Sequence, residues 1–406
     1  MGEWRQTTLG ALCAEGGGGI QTGPFGSQLH ASDYVADGVP SVMPLNIGDN
    51  VIIENGIARI TASDAQRLSR YLLAEGDIVY SRRGDVEKRA LVRAKHTGWL
   101  CGTGCLRVRL GKSTTADPRF ISYLLGTEES RGWIVRHAVG ATMPNLNTAI
   151  LGAVPLVIPD PLEQWAIANV LGALDDKIAA NIKVANRADA LAQSLFEASA
   201  GEPGATMSTL SSQATVVLGG TPDRGIASYW TDGDVPWLNS GKANERRVLE
   251  PSEWITEEAL ARSAAKLMPR RSTVVAITGA TLGKVARMEI AASGNQSLVG
   301  IWSEDDALND WLYFAVRSEI PRLLQAATGA AQQHVNKRDV ELLKVPVPSG
   351  DLLDDFGRQV RPLLDLAAER ERENLTLAAT RDALLPALMS GALRVRDAEW
   401  AVSDQT

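Results

Sequence analysis

The sequence is poor in residues that form cross-links or bind metal ions. Cysteine occurs 3 times and histidine 4 times in 406 residues. Three cysteines are too few for a disulfide framework, and their odd number suits a reducing compartment. Cys101 and Cys105 lie four positions apart near His96, but a fourth ligand at a suitable spacing is missing. We therefore interpret both cysteines as small buried residues and expect no metal site.

Long hydrophobic runs are absent as well. No stretch approaches the ~20 consecutive apolar residues of a membrane-spanning helix. The segment 1–5 lacks the basic-then-apolar pattern of a secretion signal. Hydrophobic residues make up 45% of the chain and charged residues 22%, a mixture typical of globular proteins. A chain of 406 residues is too long for a single hydrophobic core, so we expect two or more domains. Together these features predict a cytoplasmic protein with no membrane partner.

Catalytic motifs are also lacking. The sequence contains no Pro-Pro dipeptide, which excludes the Asp/Asn-Pro-Pro-aromatic loop of an amino-group methyltransferase, and no G-x-S-x-G nucleophile turn. Gly111-Lys112-Ser113 resembles the end of a phosphate-binding loop, but Leu106 occupies the position of that loop's leading glycine. The histidines are scattered, and none are spaced to bind zinc from one helix face. These absences predict a chain without catalytic activity or a cofactor of its own.

Charge is unevenly distributed along the chain, whose formal net charge is -7. Residues 262–287 contain six basic residues and no acidic one, and residues 81–95 contain six basic residues against Asp85 and Glu87. Residues 351–376 carry seven acids and four bases. Binding of nucleic acid depends on local fields over about 10 Å and not on net charge. The pattern fits one nucleic-acid face and a separate protein face; the alternative is an ordinary solvated surface.

An internal repeat organises the chain. Each half contains the same short motifs in the same order, the first two 195 positions apart and the third 189 apart: Tyr34–Pro40 and Tyr229–Pro236, Val79–Gly84 and Val274–Gly279, Gly140–Asn147 and Gly329–Asn336. The second motif is an apolar strand that ends on a glycine, where a turn with positive φ is easy. Common order at a nearly constant offset predicts two related domains.

A long helical segment follows each half. Apolar residues recur at spacings of three and four, which is a heptad seam. In residues 162–197 the seam comprises Ile167, Leu171, Leu174, Ile178, Asn181, Ala185, Ala188, Ala192 and Leu195; in residues 352–389 it comprises Phe356, Val360, Leu363, Ala367, Asn374, Leu377, Leu384 and Leu388. Pro362 is expected to kink the second helix or to start a new one. So narrow a stripe predicts an antiparallel coiled coil of the two copies; the alternative is two independent helices, each covering its own domain.

Several of these motifs resemble the specificity subunits of type I restriction-modification systems. Gly23–Tyr34 is similar to the opening of a target-recognition domain in that family, and Thr221–Leu238 is similar to another version of it. Pro144–Leu151, Leu162-Glu163-Gln164 and the closing stretch Arg381–Val395 add to the likeness, which covers about residues 3 to 395.

The resemblance implies a mixed α/β (α+β) fold with a pseudo-twofold internal repeat. Two similar globular target-recognition domains would be separated by two long antiparallel coiled-coil helices. The expected boundaries are residues 1–160 for the first domain, 161–200 for the first helix and linker, 201–350 for the second domain, 351–392 for the second helix and 393–406 for a polar tail.

The resemblance also implies the function of a non-catalytic subunit that reads an asymmetric, two-part target in double-stranded DNA. The helices would set the distance between the half-sites. Two methyltransferase subunits would dock around them, restriction-translocation subunits would join, and S-adenosylmethionine, ATP and magnesium would bind those partners. The alternatives are a stand-alone two-headed DNA-binding regulator and an enzyme whose active site has no recognisable motif.

The sequence offers candidate DNA-binding residues whose side chains can pair with phosphates or base edges. Arginine can pair with guanine, and asparagine or glutamine with adenine. In the first domain these are Arg82, Arg83, Lys88, Arg89, Asn46, Asn145 and Asn147; in the second they are Lys242, Thr278, Lys284, Gln332, Gln333, Asn336, Lys337 and Arg338. For each of them the alternative role is a loop cap or a solvated group.

Overall fold

The computed structural model describes residues 4–112, 115–140, 143–202, 205–325, 334–348 and 350–395. The chain divides into two compact units. Unit 1 consists of residues 1–177 with 377–406, and unit 2 of residues 178–376. Each unit combines a globular domain of mixed helices and strands with segments of two long helices, which is the predicted fold class.

Unit 1 is built from short strands and helices. Its strands are β1 (Arg5–Thr8), β2 (Gly17–Thr22), β3 (Tyr34–Val35), β4 (Val39–Val42), β5 (Asp49–Asn50), β6 (Ala58–Ile60), β7 (Ile78–Ser81), β8 (Arg89–Leu91), β9 (Leu100–Cys101), β10 (Cys105–Gly111) and β11 (Pro155–Ile158). Its helices are α1 (Leu9–Glu15), α2 (Ala62–Arg67), α3 (Pro118–Leu124), α4 (Glu128–His137) and α5 (Thr148–Gly152). The long helix α6 (Pro161–Ala200) begins in unit 1.

Unit 2 repeats this plan. Its strands are β12 (Thr206–Thr209), β13 (Thr215–Leu218), β14 (Val235–Leu238), β15 (Arg247–Val248), β16 (Glu253–Ile255), β17 (Thr273–Ala276), β18 (Val285–Met288), β19 (Ser293–Gly294), β20 (Leu298–Trp302) and β21 (Lys344–Val347). Its helices are α7 (Leu210–Gln213), α8 (Glu257–Arg262), α9 (Asp306–Gln325) and α10 (Lys337–Glu341). The second long helix α11 (Gly350–Met389) begins in unit 2.

The sheets of the two units have the same strand order. Unit 1 contains a five-stranded sheet β2-β10-β7-β8-β5, and unit 2 contains β13-β20-β17-β18-β15. The central strands β7 and β17 are buried along their whole length, which explains why apolar residues predominate in both. In both sheets the last pair is parallel and the others are antiparallel. The duplication predicted from short motifs is confirmed.

The two long helices pair in antiparallel orientation within each unit. In unit 2, Asn181 of α6 bonds to Asn374 of α11, and Phe196 near the end of α6 meets Phe356 near the start of α11. In unit 1, Asp175 pairs with Arg381 at 2.8 Å. The predicted seam is buried from Ile167 to Ala192, apart from the half-buried Ile178. A repeat of 3.5 residues puts these side chains on one face, so the periodicity alone identified the contact surface.

The second long helix excludes one of the two alternatives predicted at Pro362, a kink or a new helix. It continues through this residue from Gly350 to Met389, so the expectation of a new helix there is wrong. Proline removes one backbone hydrogen bond at a cost of roughly 3 kcal/mol. Val360 and Leu364 on either side are fully buried, and this burial offsets the loss.

The ends of the helical segments also differ from the expected boundaries. Helix α11 ends at Met389, three residues before the expected end at 392, and Gly391 adopts φ 72° just beyond it. Leu393 and Val395, which were assigned to a polar tail, pack against the core of unit 1. Residues 396–406 of that tail lie outside the described residues. Within the described ranges, no helix has the length and apolar content of a membrane span.

The asparagine pair in the helix seam leads to a stability prediction. Asn181 is 3% exposed, and its amide donates to Asn374 Oδ1 over 3.0 Å. Replacing Asn181 alone with leucine leaves a polar partner unpaired in an apolar seam. We expect this change to lower the free energy of unfolding by about 1–3 kcal/mol, measured by urea denaturation.

The double variant N181L/N374L provides the control. It removes both polar groups, so we expect it to be markedly more stable than the sum of the two single changes indicates. A double variant that costs as much as both singles together would show that the two amides do not act as a pair.

Candidate nucleic-acid interface

Three chain segments of unit 1 meet where β7 ends. The backbone N–H of Arg82 donates to the carbonyl of Gly104 over 2.8 Å, and the N–H of Leu146 donates to the carbonyl of Arg82 over 2.8 Å. Arg83 and Asn145 form a β-bridge next to them. We call this arrangement of residues 82–83, 104 and 145–146 the unit 1 frame.

Unit 2 contains the same arrangement at the equivalent positions. Ile277 N–H donates to the Ser297 carbonyl over 2.9 Å, and Val335 N–H donates to the Ile277 carbonyl over 3.0 Å. Thr278 and His334 form the corresponding bridge. We call residues 277–278, 297 and 334–335 the unit 2 frame. The offsets of 195 and 189 found in the sequence therefore mark equivalent backbone positions.

A glycine with positive φ closes the β-strand motif in both units, as the sequence predicted. Gly84 has φ 75° and Gly279 has φ 67°. Side chains other than glycine rarely adopt this conformation. The two turns that carry the frames thus depend on the same residue type at the same place.

The side chains on the two frames differ in chemistry. The unit 1 frame carries Arg82, Arg83 and Asn145, whereas the unit 2 frame carries Ile277, Thr278 and His334 at the matching positions. The first set can place positive charge and amide groups on a ligand. The second set offers a hydroxyl and an imidazole beside a buried aliphatic residue, since Ile277 is 4% exposed. One scaffold therefore presents two chemically distinct surfaces.

Two polar atoms of the unit 1 frame have unused bonding capacity. Nε of Arg82 and Oδ1 of Asn145 are buried and have no hydrogen-bond partner within the described ranges. Arg83 is exposed, and its side chain forms no ion pair with a described residue. Phe25, which is not among the predicted DNA-binding residues, is 55% exposed, and its ring centre lies 6.0 Å from the Arg82 guanidinium carbon. Its only sequence signal is its place in the motif Gly23–Tyr34.

A lysine lies opposite the end of the central strand in both units. The Lys88 carbonyl accepts from Ser81 N–H over 3.2 Å, and the Lys284 carbonyl accepts from Ala276 N–H over 2.9 Å. Both side chains are exposed. Lys88 pairs with Asp85 at 2.9 Å, while Lys284 has no ion pair among the residues that the structure describes. Lys284 is therefore the more available cation of the two.

The predicted asparagines after the frames have the same structural role in both units. Asn147 Oδ1 accepts from Ile150 N–H over 2.8 Å at the start of α5, and Asn336 Oδ1 accepts from Asp339 N–H over 3.0 Å at the start of α10. Both residues are exposed helix caps whose amide N–H groups remain free to donate.

Three basic candidates of unit 2 differ in how strongly they are engaged. Lys337 pairs with Glu341 at 2.9 Å, and Lys242, with 20% of its side chain exposed, pairs with Glu245 at 2.8 Å. Arg338 is exposed. Gln332 and Gln333 lie outside the described residues.

Two candidates of unit 1 do not belong to the frame. Arg89 is 2% exposed, donates to Asp49 over 2.8 Å and also bonds to the Ser122 carbonyl. Asn46 is fully buried, where it accepts from Met43 N–H and donates to the Ile53 carbonyl. Both side chains form hydrogen bonds inside the domain. They therefore have structural roles in place of the predicted contacts with DNA.

The surroundings of Arg89 explain why it is held inside. Burial opposes ionisation of Asp49, but the guanidinium groups of Arg89 and Arg131 outweigh it and hold the Asp49 pKa below its ordinary value. Arg131 donates to the same carboxylate over 2.7 Å. Removing one partner would leave charge uncompensated in a half-buried site.

The cysteines have the properties of buried residues. Cys101 and Cys105 are each 1% exposed, and burial raises the pKa of the Cys101 thiol to about 12. In the part of the chain that the structure describes, no three metal-binding side chains form a cluster.

Comparisons with known proteins match both halves of the chain. A family model described as the type I restriction modification DNA specificity domain matches residues 45–187 and 206–351. The MjaIX specificity subunit of a type I restriction enzyme from Methanocaldococcus jannaschii is 23% identical over 392 residues, which are 90% of this chain and 89% of that protein. The EcoR124I/EcoR124II specificity subunit from Escherichia coli is 28% identical over 136 residues; this match spans 32% of the chain and 34% of that protein's length.

A solved structure resembles the whole fold. The S subunit of the type I restriction-modification system from M. genitalium aligns with a TM-score of 0.62 at 15% sequence identity. The alignment covers 95% of this chain and 96% of that subunit. At 15% sequence identity, this similarity shows a shared fold and no more.

Proposed function

This chain belongs to the type I restriction modification DNA specificity family, and from that premise we propose that each of its units reads one part of a two-part DNA target. The matched segments 45–187 and 206–351 fall one in each half of the sequence. The protein would act by binding and not by catalysis, as the subunit that gives a larger enzyme its sequence specificity.

The observation that carries this proposal is one backbone frame with two different sets of side chains. The duplicated frames have the same backbone arrangement in each unit, so both units would approach the duplex in the same manner. Their side chains differ at every frame position compared above, so the two base sequences they read would also differ. An asymmetric target follows, since a symmetric one requires identical readers.

Specific chemistry can be assigned to the unit 1 frame. Arg82 and Arg83 would bond to guanine edges or to phosphates, and Asn145 is suited to adenine. Lys88 and Asn147 would contact the backbone beside them. Hydrogen bonds to phosphates fix the register of a protein on DNA, whereas bonds to base edges in the major groove discriminate sequence.

The unit 2 frame would read its half-site with fewer charges. Thr278 would contact base edges, and the other basic and amide candidates of unit 2 would contact the phosphate backbone or neighbouring bases. These are Lys242, Lys284, Gln332, Gln333, Asn336, Lys337 and Arg338. Lys284 and Arg338 are the strongest candidates, because both are exposed and no ion pair is found for either among the described residues.

The paired long helices would hold the two readers at a set separation. We further propose that two methyltransferase subunits dock around these helices and methylate adenine in the target, and that restriction-translocation subunits join this core. S-adenosylmethionine, ATP and magnesium would then be bound by the partners. The family match and the apolar seam of the paired helices, which includes Ala185, Ala188 and Ala367, support this proposal.

Mapping methylated adenines in the genome of a host with and without this chain tests the proposal. We expect one methylated motif to disappear on deletion, and this motif to consist of two different short sequences with an unread spacer. Purification of the tagged chain should recover methyltransferase subunits. Unchanged methylation together with purification of the chain alone would instead support a stand-alone DNA-binding regulator. Methylation or cleavage by the chain alone would refute its non-catalytic role.

A further inference from the structure

One buried arginine ties the globular domain of unit 2 to both long helices. Arg247 lies in β15, at the edge of the five-stranded sheet, and its side chain is 1% exposed. Both terminal nitrogens donate to the carboxylate of Asp189 on α6. Nη1 also donates to Oε1 of Glu371 on α11 over 2.8 Å. A single guanidinium group thus joins three elements.

The geometry of this contact needs an arginine. The planar guanidinium group binds Asp189 through two nitrogens while it reaches Glu371, and a lysine ammonium cannot reproduce that fork. The side chain of Asp189 is 12% exposed and that of Glu371 is 29% exposed. Solvent screens these partly buried ion pairs less than it screens ion pairs on the surface. The strength of the Arg247 contacts therefore depends closely on their geometry.

A separate apolar contact anchors the same domain to the same helices. Trp311 of α9 packs against Phe196 of α6 and Phe356 of α11, with ring centres 4.7 Å and 4.8 Å apart. Asp189 precedes Phe196 by seven residues, which is about 10 Å along a helix. Glu371 follows Phe356 by fifteen residues, or about 22 Å.

The Arg247 contacts and the aromatic cluster, placed apart along the helices, together restrict a tilting of the domain that the aromatic cluster alone would allow. Two other ion pairs join this domain to α11, Asp310–Arg361 at 2.9 Å and Arg271–Asp365 at 3.7 Å, and both lie nearer to Phe356 along the helix than Glu371 does. Apolar contacts are not directional, so a domain held only at this aromatic end of the helices could tilt about it. The directional bonds of Arg247, placed away from that end, prevent such tilting. This matters for a two-part target because each base pair added to the spacer moves a half-site by about 3.4 Å and rotates it by roughly 35°.

We propose that Arg247 is a positioning residue that fixes the direction in which the unit 2 domain leaves the helix pair, and thereby limits the spacer lengths that the protein accepts. The inference rests on the proposed function. A domain held rigidly would meet its half-site at one spacer length, whereas a loosely held domain would follow a half-site that is displaced and rotated.

The test measures binding of the full chain, with its methyltransferase partners, to duplexes that carry the target with its natural spacer or with one base pair more or less. The wild type should bind the altered spacers at least ~10-fold more weakly, as expected for loss of one half-site's contacts. In R247K the charge remains but the fork is lost, and we expect this preference to shrink at least fivefold while binding to the natural spacer changes less.

A second variant guards against simple misfolding. R247M/D189N/E371Q removes all three charges together and leaves no buried charge unpaired, since Arg246, which loses its partner Asp189, is 47% exposed to solvent. It should show the same loss of spacer preference. The matched control is R246M, because Arg246 also pairs with Asp189, at 2.7 Å, but is 47% exposed; its spacer preference should equal that of the wild type.

The outcomes separate the inference from the function beneath it. Circular dichroism would first establish that R247K and the triple variant are folded. If both then keep the wild-type spacer preference, the proposed role of Arg247 is overturned and the proposed function remains intact. Absence of wild-type binding to any two-part duplex would overturn the proposed function itself.

Discussion

Replacing Arg82 and Arg83 together with alanine is expected to weaken DNA binding by roughly 10- to 100-fold at moderate salt. The two residues lie side by side on the unit 1 frame, and Arg82 Nε is unpaired in the described part of the chain. Each guanidinium group would neutralise a phosphate or bond to a guanine edge. Because neutralised phosphates release counterions, the slope of log affinity against log salt should flatten by about 0.9 for each lost contact.

Binding titrations between low and moderate salt measure both quantities. The control variant is Arg5→Ala combined with Arg358→Ala, since these side chains are 45% and 73% exposed and carry the same total charge. It should leave sequence preference unchanged. If the R82A/R83A variant keeps the wild-type salt slope and the wild-type site preference, the unit 1 frame does not contact DNA.

Replacing Phe356 with alanine is expected to lower the free energy of unfolding of unit 2 by about 3–5 kcal/mol. The ring is 2% exposed and packs on Phe196, Trp311 and Phe314, with centres 6.3, 4.8 and 6.1 Å away. Its removal leaves a cavity that these rigid aromatic neighbours fill poorly. The corresponding fall in the melting temperature is roughly 10 °C for a domain of this size.

Leu375→Ala is the matched control for this change. Leu375 lies on the same helix but is 39% exposed, so its truncation should alter stability by less than about 0.5 kcal/mol. Urea denaturation followed by circular dichroism measures the free energy of unfolding of both variants. Equal effects of the two substitutions would show that the aromatic cluster does not hold the long helices to the globular domain of unit 2.

The sequence by itself determined the features that repeat along the chain. The heptad spacing identified buried positions such as Leu171, Ala185 and Val360, because a helix turns by a fixed angle per residue. The offsets of 195 and 189 identified equivalent backbone positions, including the caps Asn147 and Asn336. Both are local properties, in which residue order fixes geometry without knowledge of distant partners.

The tertiary structure decided which polar residues are available. Arg83 and Arg89 look alike in the sequence, but the first is exposed while Asp49, forty positions away, holds the second inside. Sequence patterns also missed that Arg247 joins both long helices. Burial and ion pairing depend on which segments the folded chain brings together. A charged residue carries no local signal of its partner, so only the packed molecule distinguishes a structural arginine from one that can bind DNA.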